Sequence, residues 1–111
     1  MNWKPLLEAS EENFYRSVVF RFSAQHPFES IVDFMIIEAL DAPLRLKLIC
    51  STGYHAGQTE LVFSKEAEHH EGGISVHWIK ENWVKWIYSC CKVSEVSYLS
   101  NYPPEVGVNT Q

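Results

Sequence analysis

From Ser75 to Tyr88 the apolar residues Val76, Ile79, Trp83, Trp86 and Ile87 recur at helical spacing. At about 100° per residue they share a sector of roughly 100°, with Val84 at its edge. This pattern predicts one principal helix over about 75–88, lying with its stripe on a core. Ser75 follows Gly72, Gly73 and Ile74, and its hydroxyl is placed to cap the first turn. Trp78 falls roughly 140° from the centre of the stripe, so the same arithmetic turns it toward solvent, a terminus or a partner.

The rest of the chain reads with a period of two. Val18, Phe20 and Phe22 alternate with Val19, Arg21 and Ser23, which predicts a strand over 17–23 with one strongly apolar face. The run from Ile31 to Leu40 is apolar on both faces: Val32, Phe34, Ile36 and Leu40 on one, Met35, Ile37 and Ala39 on the other. It reads as the central strand of a sheet, with a short buried helix as the second choice. After a turn at Asp41, Ala42 and Pro43, Leu44, Leu46, Leu48 and Cys50 alternate inward, completing a hairpin. Gly53 and Gly57 mark the next turn, Gln58 to Ser64 a fourth strand, 65–73 a polar loop, and Val93 to Ser100 a last strand. Residues 1–15 read as a packed loop or a short helix opened by Pro5.

These elements define an α+β fold in which an antiparallel sheet of about five strands is covered on one side by one helix. The chain of 111 residues reads as a single domain over 1–102. Residues 103–111 carry Pro103 and Pro104 and little apolar content, and are expected to form a flexible tail.

Charge narrows the function. Fourteen acidic against nine basic residues give a net charge of -5, which disfavours nucleic acid or an anionic membrane and favours a basic partner. The opening residues do not form a signal peptide, and no apolar run reaches the roughly 20 residues of a membrane span. Three cysteines, two of them adjacent, do not make a disulfide framework, so a reducing cytoplasm is the expected compartment.

Candidate chemistry is sparse. His69, His70 and His77, with Glu66, Glu68 and Glu71, offer metal-ligating atoms, but adjacent histidines in a glycine-flanked loop lack the spacing of a zinc site. Cys90 with His77 or His26 is the one conceivable nucleophile and base, and no cysteine-enzyme signature surrounds it. Asp33 and Glu38 lie an odd number of residues apart and face opposite ways on a strand. No glycine-rich phosphate loop is present. A small metal- or thiol-dependent enzyme built on these residues is therefore the alternative reading, and no cofactor is expected. The favoured reading is a binding surface in which Glu66, Glu68 and Glu71 surround exposed aromatic anchors, Trp78 and Tyr54. Self-association through Trp78 is a further option.

Three blocks sharpen this reading: Pro27 to Met35, Ser51 to Gly57, and Gly72 to Ser75 continuing through Trp78, Glu81, Asn82, Trp83, Lys85, Trp86 and Tyr88. They resemble the Immunity protein 45 family over about Val18 to Tyr98. The resemblance implies a small bacterial cytoplasmic protein, encoded beside a polymorphic toxin such as those of contact-dependent growth inhibition. It further implies binding to the toxin's C-terminal domain, often a nuclease, without turnover. It assigns no functional residue; Gly53 and Gly57 are expected to serve the turn, and Trp83 and Trp86 the core.

Overall fold

A computed structural model of the chain describes residues 2–103. The expected tail therefore lies, beyond Pro103, outside the described residues. The strands are β1 (Lys4–Pro5), β2 (Asn13–Phe14), β3 (Val19–Ser23), β4 (Ile31–Glu38), β5 (Leu46–Cys50), β6 (Thr59–Val62), β7 (Ile74–Ser75) and β8 (Ser97–Leu99). Helix α1 (Val76–Asn82) continues directly into a π-helical segment, Trp83–Ile87.

The main sheet has six strands in the order β1-β8-β3-β4-β5-β6, with antiparallel pairing throughout. The α+β reading holds, with one more strand than expected because the N-terminal segment pairs Lys4 and Pro5 with Tyr98 and Ser97. Pro5 thus serves a sheet edge, where its missing N–H costs nothing, and a single 3-10 turn follows it. A two-stranded ribbon, β2 with β7, links the N-terminal segment to the start of α1. The run from Ile31 is a strand and sits centrally, between β3 and β5. It ends at Glu38, so Leu40, expected inward, falls in the following turn and is exposed.

Alternation decides what the sheet buries. Phe20, Phe22, Val32, Phe34, Ile36, Leu46, Leu48 and Cys50 pack under Val76, Ile79, Trp83 and Ile87. Trp83 stands edge-on to Phe20 and Phe22, with ring centroids 5.7 and 5.2 Å away.

The helix corrects the sequence reading at its second half. Ser75 caps α1 as expected, its Oγ accepting the Trp78 N–H at 3.1 Å. Asn82 then spends its side-chain amide on the Trp78 carbonyl at 2.9 Å and leaves the helical region at φ -115°. The next turn widens, closing from the Tyr88 N–H to the Trp83 carbonyl five residues back at 2.8 Å. A wider turn advances each residue by less than the α-helical ~100°. Ile87 is thereby carried into the core, while Trp86, expected in the stripe, is left 56% exposed with Val84 beside it.

The loop over 65–73 is also more structured than a solvated connector. Ala67 and His69 are buried, and Glu68 bridges to Ile74. The loop turns into β7 through Gly73 at φ +76°, where a Cβ would lie 2.6 Å from the Phe14 carbonyl oxygen. Gly73→Ala combines a disfavoured left-handed conformation with a backbone clash that no side chain can relieve. It is expected to cost about 2 kcal/mol or more, measured by chemical denaturation against wild type.

Candidate functional site

Helix α1 and strand β6 are held apart by Trp78, which is half-buried and stands edge-on to Phe63 at 6.0 Å. Expected from the sequence as an exposed anchor, Trp78 is instead packed in part against the core, beside Phe63 just past β6. A groove of about 400 Å³ results, lined by Leu61, Val62, Ser64, Glu66, Trp78, Asn82, Lys85 and Trp86. Two indoles and two opposite charges thus share one concave surface. Glu66 Oε1 accepts the Ser64 hydroxyl at 3.0 Å, and Lys85 Nζ lies 5.5 Å from the Trp86 ring centroid. Of the residues expected to bind a partner, Glu66 and Trp78 meet here.

The others lie elsewhere. Tyr54 is 95% exposed on the turn between β5 and β6, its N–H donating to Glu29 Oε2 at 3.1 Å. Glu68 and Glu71 are exposed on the loop before β7 but do not line the groove. Sequence reasoning missed the other six lining residues, Trp86 and Lys85 on the helix side and Leu61, Val62 and Ser64 on the β6 side among them. The signal for Trp86 was Asn82, whose side-chain amide competes for a helical carbonyl immediately before the π-helical turn begins.

A second concavity, of about 250 Å³, gathers Glu11, Glu12, His69, Ser75, Val76, His77 and Lys80. Here the N-terminal segment and the 65–73 loop approach each other, with His69 Nε2 3.4 Å from Glu12 Oε1. The hydrogen bond from the Tyr98 hydroxyl, at 2.7 Å, holds the Glu11 carboxyl below its usual range, and burial followed by that same bond pushes Tyr98 up to about 12. Lys80 directs its ammonium to the Leu7 and Ala9 carbonyls, tying the helix to the N-terminal segment.

Histidine chemistry was the alternative reading, and the ring nitrogens speak to it. Ligand atoms of His69, His70 and Glu71 lie within 4.8 Å of one another, whereas His77 pairs separately with Glu81 at 3.8 Å. His69 Nδ1 accepts the Glu71 N–H at 3.1 Å while Nε2 faces Glu12. A metal-bound imidazole ordinarily donates from its second nitrogen; here that nitrogen is an acceptor, so ligation requires breaking the Glu71 bond. The donor set fits a structural histidine better than a metal ligand.

The thiols are no better placed. Cys50 and Cys91 are buried, and burial pushes both thiols up, away from the nucleophilic thiolate. Cys90 is exposed, with only the Ser89 hydroxyl, 3.9 Å away, as a hydrogen-bond partner among the described residues.

The open face of the sheet carries a polar network around Asp33. Asp33, only 1% exposed, receives Arg21 Nε at 2.8 Å, Arg21 Nη2 at 3.0 Å and the Tyr102 hydroxyl at 2.6 Å. Trp3 stacks over the Arg21 guanidinium at 4.2 Å. Burial, then the bond to Asp33, pushes Tyr102 up to about 12.

These features define a small α+β protein with two surface concavities, one lined by Trp78 and Trp86 and one by Glu11, Glu12 and His69. The Immunity protein 45 family model matches residues 6–98, and the chain belongs to that family. The resemblance read from three blocks is thereby confirmed and extended toward the N-terminus. Membership makes the chain an immunity protein, whose partner is a protein, the cognate toxin. Neither the curated proteins nor the solved structures hold a match to it. No helix among the described residues is long and apolar enough to cross a membrane.

Proposed function

We propose that this chain acts in the bacterial cytoplasm, where it neutralises by tight binding the C-terminal domain of a polymorphic or contact-dependent-inhibition toxin, and that this domain is a nuclease. The observation that carries the reading is the family match over residues 6–98. The net charge of -5 supports a basic target, because a nuclease must present positive charge to phosphates and an acidic inhibitor competes for it. Inhibition by occupancy requires affinity and no turnover, in keeping with His69 held by the Glu71 N–H and with the burial of Cys50 and Cys91.

The test is co-expression of the chain with the C-terminal domain of the toxin encoded beside it, followed by co-purification and assay of nucleic-acid cleavage. Stoichiometric complex formation and abolished cleavage are expected. A domain that stays free and active at micromolar concentrations of the chain overturns the reading, while a complex that forms around a domain without nuclease activity overturns its nuclease part alone.

Electrostatic steering gives a further expectation. Reversing the charge at Glu66, Glu68 and Glu71 together is expected to slow association by about tenfold at low salt and to flatten its dependence on ionic strength. Stopped-flow association rates at two salt concentrations check this; an unchanged rate moves the encounter surface away from the 65–73 loop.

A further inference from the structure

We infer that the groove between α1 and β6 is the docking site for an arginine side chain of the toxin domain, seated against Trp86 and neutralised by Glu66. This deepens the proposed immunity function and rests on it. The groove brings together two features that a cation needs: aromatic faces and an uncompensated carboxylate.

Trp86 is more than half exposed, although tryptophan is the side chain whose burial yields most at an interface. Val62, which lines the groove, is exposed too, so its apolar contribution is available to a partner. An indole face attracts cations through its quadrupole, and Lys85 already directs its ammonium to Trp86 within this protein. Across the groove, neither Glu66 nor Lys85 has an ion-pair partner among the described residues. Among the described residues Glu66 is held only by the neighbouring Ser64 hydroxyl, which orients the carboxylate and leaves its charge uncancelled.

Arginine fits this arrangement better than lysine. A guanidinium is planar, stacks on an indole and donates a fork of hydrogen bonds to one carboxylate, whereas an ammonium is more strongly hydrated and points in one direction. The incoming guanidinium displaces Lys85, whose side chain is exposed and free to swing into solvent. The chain's net charge of -5 favours the same sign of partner at longer range.

The charge of the occupant is what the experiment reads. Affinity of the full chain for a catalytically inactivated toxin domain is measured by calorimetry for wild type and three single variants, each first checked by thermal unfolding. Trp86→Ala is expected to bind more weakly by about tenfold or more, with its unfolding midpoint near that of wild type because the ring is exposed. Glu66→Gln is expected to weaken binding by several-fold, and Lys85→Gln to tighten it by a few-fold, since a competing cation is removed.

Wild-type binding with Trp86→Ala and Glu66→Gln unimpaired overturns the groove while leaving the immunity reading intact. Weakening by Lys85→Gln with Glu66→Gln neutral or tighter overturns the cationic occupant and assigns an acidic one. Failure of wild type itself to bind overturns the immunity reading and the groove with it.

Discussion

Trp83→Ala is expected to lower the stability of this protein by about 3–5 kcal/mol, the range for truncating a large buried aromatic. Trp83 is 0% exposed and begins the π-helical segment, so its ring fixes the helix on the sheet through Phe20 and Phe22. Loss of the indole leaves a cavity whose walls belong to two different layers and cannot collapse by a rotamer change alone. One detail separates the volume of the ring from its polarity: Trp83 Nε1 is buried without a hydrogen-bond partner among the described residues. Trp83→Phe removes that unsatisfied donor while keeping an aromatic edge for Phe20 and Phe22, and is expected to cost only about 1–2 kcal/mol. Urea unfolding of the two variants checks both values. A Trp83→Ala cost below about 1 kcal/mol contradicts the packing described for the helix.

Much of the fold could be read before its coordinates because the controlling signals are local. Phe20 with Phe22, and Leu46 with Leu48 and Cys50, lie two residues apart and share a face by strand geometry alone. Ser75 caps a turn three residues ahead of it, and this too needs no distant partner. The central place of β4 followed from its two apolar faces, though its second face is covered in part by the Trp3, Arg21 and Tyr102 side chains rather than by a second helix. Trp86 was misplaced because a uniform helical advance was assumed across Asn82, and half of the candidate groove was lost with it. Glu66 and Trp78 were found, but their meeting depends on how β6 and α1 dock, as does the approach of Glu12 to His69. Pairing between remote segments leaves no periodicity in a sequence. A carboxylate in the middle of an apolar strand does leave a trace: Asp33 between Val32 and Phe34 requires a partner, and Arg21 is its register neighbour on β3.

Asp33→Ala is expected to cost about 3 kcal/mol, because one side chain anchors two other parts of the chain, Arg21 and Tyr102. Its carboxylate accepts from Arg21 on the adjacent strand and from Tyr102, 69 residues away, while its backbone N–H donates to the Thr52 hydroxyl at 3.0 Å. Removal of the carboxylate leaves a guanidinium beneath Trp3 and a half-buried phenol without their acceptor. Arg21 is 40% exposed and regains water, which places the loss at the lower end of the range for broken buried pairs. The pair is better apportioned by a double-mutant cycle with Arg21→Ala, since the two single losses share one interaction and must fail to add. Tyr102 reports on the same contact by titration. Its phenol is raised from 10.0 to about 12, first by burial and then by Asp33, so the folded state holds the proton more tightly than the unfolded chain. The stabilisation linked to it is complete below about pH 10 and is lost as pH rises through about 12. Without Asp33 only the contribution of burial remains among the raising causes that dominate, so the Tyr102 midpoint in an alkaline absorbance titration is expected to fall toward 10. An unmoved midpoint, together with a stability loss below about 1 kcal/mol, contradicts the network and leaves the open face of the sheet without an organising charge.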